Sequence, residues 1–144
     1  MAWILAALVL MSSRAAVAQT MAVSGNPASL HITTAVAGSQ PTSVTNAVTT
    51  YTVTTPAANK TWRITAQLNV AMPTDVTLTG TFAAPPGATS VGAVALDLIA
   101  RNVVTGIPKN TNATQGITYQ LSALVTAGVI ASSTRTLTLT VIQP

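Results

Sequence analysis

From Leu30 to the end of the chain, apolar and polar residues alternate in short runs separated by glycine and proline. Successive side chains on a strand point to opposite faces, so this period of two is the mark of half-buried β-strands. Leu30, Ile32, Thr34 and Val36 share one face of a first predicted strand, with His31 opposite them, and Gly38 to Pro41 end it. In the threonine-rich stretch 44–54, Tyr51 and Val53 point the same way. Pro56 to Asn59 then turn the chain.

The cleanest amphipathic strand follows, with Trp62, Ile64, Ala66, Leu68 and Val70 alternating with Arg63, Thr65, Gln67 and Asn69. After a turn at Met72 to Asp75, Val76, Leu78, Gly80 and Phe82 repeat the pattern up to Pro85-Pro86-Gly87. Residues 91–99 place Val94, Leu96 and Leu98 on one face, and a short piece runs from Val103 to Ile107. Ile117, Tyr119, Leu121, Ala123 and Val125 form the penultimate run, and Leu137, Leu139 and Val141 the last. Roughly seven to nine strands with turn signals at this spacing predict an all-β antiparallel sandwich or barrel.

The start of the chain reads differently. Ala2 to Met11 are apolar throughout, and Ala16-Val17-Ala18 supplies an A-x-A site before Gln19. The run is too short to span a bilayer as a helix, and the pattern is that of a cleavable secretory signal. The expected organisation is a signal peptide at 1–18, a flexible segment at 19–27, and one β-sandwich domain at 28–144. The expected destination is the periplasm, the cell surface or the medium, with no transmembrane span in the mature chain.

Composition narrows the function classes. Charged residues make up 6% of the chain, against roughly 25% in ordinary soluble domains. Lys60, Arg63, Arg101, Lys109 and Arg135 are scattered, so the net charge of +4 forms no stripe and no nucleic acid is expected as a partner. Asp75 and Asp97 are the only acids, and the absence of cysteine removes disulfides and thiolate chemistry. Aromatic residues are 3% of the chain and the last residue is Pro144. Both weigh against a transmembrane barrel with aromatic girdles.

Tyr119-Gln120-Leu121 places a tyrosine two residues before a predicted core position. This resembles the tyrosine corner of immunoglobulin-like sandwiches, common among bacterial secreted and surface proteins, with Leu121 where a disulfide-bonded member carries cysteine. The resemblance implies an immunoglobulin-like fold and a structural role for Tyr119. It implies no activity.

Candidate chemistry is sparse. His31 is the only histidine, and with Asp75 and Asp97 it could be written into a hydrolase, the lowest-ranked reading. Asp75 lies in a Pro-Thr-Asp turn, and Asp97 is placed to pair with Arg101 or to cap a sheet end. Asn59-Lys60-Thr61 and Asn112-Ala113-Thr114 match the N-glycosylation pattern, as chance alone produces in a threonine-rich chain. No catalytic residue, cofactor or metal site is assigned.

Trp62 is the candidate platform for a glycan. Thr136, Leu137, Thr138, Leu139, Thr140 and Val141 form an uncharged run of high β-propensity, held between Arg135 and Pro144. At a sheet edge such a run templates pairing with another chain. The stretch 44–54 is a second uncharged strand that could be donated to a neighbour. The expected function is a non-enzymatic structural or interaction protein of the cell surface or medium, self-assembling into a fibre or layer by strand pairing. The alternative is an extracellular glycan- or ligand-binding module.

Overall fold

A computed structural model describes residues 18–27 and 29–144. The predicted leader, apart from Ala18, lies outside the described residues. The described chain is all-β, with two antiparallel sheets facing one another. In chain order the strands are β1 (Thr20–Ser24), β2 (Val44–Thr54), β3 (Trp62–Leu68), β4 (Val76–Phe82), β5 (Thr89–Ser90), β6 (Ala93–Ala95), β7 (Arg101–Ile107), β8 (Asn112–Ala123) and β9 (Leu137–Ile142). One sheet has five strands in the order β1-β2-β8-β4-β6, and the other has four in the order β5-β7-β3-β9. From β2 onward every connection crosses from one sheet to the other.

The core lies between the sheets and is built from the alternation described above. Tyr51 and Val53 of β2, Ile64 and Ala66 of β3, Phe82 of β4 and Ile117 of β8 are fully buried. Gly80 is a packing requirement. A Cβ there would stand 2.9 Å from the Phe82 ring and 3.2 Å from Leu96, so the missing side chain leaves room for both.

Three departures from the sequence pattern have physical causes. Residues 30–36 form no strand. Leu30 packs on the core, but β2 is already paired on both sides, by β1 and β8. β-Propensity needs an edge to be realised, and the segment closes on itself instead, with Thr42 N donating to Thr34 O at 2.9 Å.

Residues 20–24, expected within a flexible segment, form β1 and pair along their whole length with residues 50–54. The short piece at 103–107 is β7, an inner strand with Val103, Val104 and Ile107 all fully buried. Its register against β3 shifts twice, between Trp62 and Ile64 and again between Ile64 and Thr65. These bulges put two consecutive valines in the core and set Gly106 at φ 68°. Smaller differences fall at strand ends: Val70, Leu98 and Val125 are exposed.

Candidate functional site

β9 is the edge strand of the four-stranded sheet. Leu137, Leu139 and Val141 stand opposite Leu68, Ala66 and Ile64 of β3 and face the core. Thr138 and Thr140 alternate with them, opposite Gln67 and Thr65, and are exposed. Thr136 lies one residue before the strand. Its N–H donates to Asn69 Oδ1 at 2.8 Å, and Arg135 Nε donates to Ala71 O at 3.1 Å, so the approach to β9 is tied to the end of β3.

On one side β9 therefore has a complete ladder with β3. On its other side no strand pairs with it among the described residues. No residue of Leu137–Ile142 is charged, so the usual guard of an edge, an embedded lysine, is missing.

Of the other sheet edges, β5 and β6 are only two and three residues long. β1 has five residues and lies next to β9 on the same flank of the sandwich. There Gln19 Nε2 reaches the Val141 carbonyl at 3.5 Å, a long contact over the β9 edge. The stretch 44–54 is no free strand: it is β2, enclosed by β1 and β8.

Charge is distributed unevenly. None of the five strands β1, β2, β4, β6 and β8 contains a charged residue. Their outward phase is dominated by Thr50, Thr52 and Thr54, Thr77, Thr79 and Thr81, continued on β8 by Thr114 and Thr118. Thr52 and Thr114 join hydroxyls across the strands at 2.7 Å. This neutral hydroxyl face has the charge depletion found at the centres of protein interfaces.

The remaining sequence candidates are dispersed. Trp62 is 5% exposed and belongs to the core, so its ring offers no platform; its buried Nε1 lacks a hydrogen-bond partner. Tyr119 is also buried. Burial pushes its phenol up from the ordinary tyrosine range, and the adjacent Thr49 hydroxyl lowers it in part. The phenol that reaches a backbone carbonyl is that of Tyr51, on Ala83 O.

Asp97 pairs with Arg101 at the surface, accepting from its Nε at 3.1 Å and from Ile99 N at 2.9 Å. The Arg101 hydrogen bond, then the Ile99 amide, hold its carboxyl below the usual carboxylate value. Asp75, at φ 63° in the turn before β4, accepts from the Thr126 hydroxyl at 2.6 Å. Of the two sequon asparagines, Asn59 accepts from Lys109 Nζ and Asn112 opens β8. No group of three His, Asp or Glu side chains converges among the described residues, and no helix among them is long and apolar enough to cross a membrane.

His31 is exposed and lines an open groove of about 980 Å³ at one end of the sandwich, where the segments around Leu30 and Ile130 meet the ends of β4 and β8. Arg135 also lines the groove, from the segment after Ile130, and no carboxylate does. Sequence reasoning missed this groove because both its walls are irregular. It missed β1 because Met21 and Val23, alternating with Thr20, Ala22 and Ser24, are too few to stand out from a leader. No protein-family model, no curated protein and no solved structure matches the chain.

Proposed function

We propose that the chain is a secreted or cell-surface, non-enzymatic structural subunit of immunoglobulin-like sandwich type that assembles with copies of itself by strand pairing at β9. The observation that carries this reading is the unguarded edge of Leu137–Ile142, six uncharged residues with one side laddered to β3 and the other unpaired among the described residues. A second strand laid along that side gains a ladder of backbone hydrogen bonds at little cost in side-chain rearrangement. The neutral threonine face of the five-stranded sheet supports the reading, since it can be buried against a neighbour without stranding a charge.

The test is Thr138→Lys with Thr140→Lys. Both positions are exposed, so the fold tolerates them, while two lysines on the edge oppose pairing. Electron microscopy of residues 19–144 is expected to show polymers for the natural sequence and dispersed particles for the double variant. Equal polymerisation of the two would overturn pairing at β9.

The groove favours a second reading, an extracellular module for a small neutral or anionic ligand, with His31 and Arg135 as its polar contacts. A glycan array comparing the natural chain with His31→Ala plus Arg135→Ala tests it, and binding lost in the variant would favour it.

A further inference from the structure

The surface that β1 occupies identifies its own ligand. The free side of β2 is filled by Thr20–Ser24 in antiparallel register, with Met21 opposite Val53 and Ala22 opposite Thr52. A second copy of the chain carries the same strand, so the same ladder can form between molecules with the same residues in contact. Whether β1 stays home or crosses depends on how firmly it is held and how far it can reach.

It is held lightly. Four of its five residues are exposed, Val23 at 52% among them, and Met21 alone is half-buried and packed on the core. Strands with so little burial open at a small fraction of the global stability.

It can also reach. The connection to β2 runs through residues 25–43, and its described residues make no strand pairing with either sheet. It leaves β1 at Gly25, where φ is 75°, and continues through Asn26 and Pro27. Even with Leu30 kept on the core, residues 25–29 span roughly 16 Å when drawn out; the whole connection spans roughly 60 Å.

We propose that assembly proceeds by exchange of the N-terminal strand: Thr20–Ser24 of one copy leaves its own β2 and completes the five-stranded sheet of the next. This rests on the self-assembly reading and extends it. Each contact given up in one molecule is regained in another, so the exchange is nearly balanced and is driven by the contacts added between neighbours. Donation from each copy to the next makes a filament wherever the rotation between copies does not close a ring, whereas reciprocal exchange between two copies stops at a dimer. Release of β1 also withdraws Gln19 from the Val141 carbonyl. One movement therefore frees β2 as an acceptor and uncovers the β9 edge beside it.

The absence of cysteine makes the test clean. Ala22→Cys with Thr52→Cys places a thiol on each of two directly opposed residues, at the separation a disulfide needs. Ser24→Cys with Thr50→Cys is the second pair, should the first misfold. Two samples of residues 19–144 are compared, one oxidised as dilute monomer and one oxidised after assembly under reductant.

The exchange predicts intramolecular cross-links and loss of assembly in the first sample. It predicts a ladder of dimers, trimers and longer species on a non-reducing gel in the second, with assembly restored to the first by reductant. Cross-links that stay intramolecular in preformed assemblies overturn the exchange; if the β9 lysines still disperse those assemblies, edge pairing stands alone. An interchain ladder that the lysines leave unchanged keeps the exchange and removes the β9 reading. A chain that stays monomeric, with intramolecular cross-links at every concentration, overturns both.

Discussion

The phenol of Tyr51 in β2 donates to the carbonyl of Ala83, just beyond β4, although β8 lies between those two strands. The side chain reaches beneath β8 through the core, with its ring 6.3 Å from that of Phe82 and tilted by 54°. One hydroxyl thus ties the two strands that flank β8. Tyr51→Phe keeps the ring and removes the tie. The expected cost is about 1 kcal/mol, read as a lower denaturant midpoint at unchanged slope.

The same residue sets an alkaline limit. Burial pushes the Tyr51 phenol up to about 12, and burial raises Tyr119 as well. Between the ordinary tyrosine value near 10 and the folded value, the unfolded chain loses protons that the folded chain retains. Stability is therefore expected to be unaffected by these groups below about pH 10 and to fall as the pH rises from 10 to 12. Thermal melting across that range checks the sign. Tyr51→Phe should make the decline shallower.

Gly80 tests the packing on the inner face of β4. Gly80→Ala sets a methyl 2.9 Å from the Phe82 ring and 3.2 Å from Leu96 in a site with no exposed side. Overpacking of this kind costs about 1–3 kcal/mol. A melting point equal to that of the natural chain would show that Phe82 is free to move aside.

At Gly25 the expected effect is local. A Cβ there would lie 2.5 Å from the Val48 carbonyl, at a φ of 75° that side chains rarely adopt. Gly25→Ala is expected to loosen β1 while leaving β3, β7 and β9 intact. Hydrogen exchange should quicken at the β2 amides facing β1 and stay unchanged in the four-stranded sheet. By favouring release of the strand, it should also speed assembly.

How much of this was legible in the sequence depends on how each strand is buried. β3, β4 and β8 keep a regular period of two because each buries one face along most of its length, so Ile64, Phe82 and Ile117 were readable as core. β7 was not, because its bulges break the alternation. The residues 30–36 show the opposite error, a good strand pattern beside a β2 already paired on both sides.

The edge run after Arg135 was readable as uncharged and β-prone, but whether it lay inside a sheet or at its border is a property of the whole topology. Trp62 shows the same limit for the site. Its chemistry suits a binding platform as well as a core, and only its 5% exposure decides between them.

Sedimentation velocity of residues 19–144, over a hundredfold range of concentration under native conditions, tests the central claim most directly. A strand-paired subunit predicts species that grow with concentration and revert toward monomer when Thr138 and Thr140 are replaced by lysine. A single monomeric boundary at every concentration would contradict it.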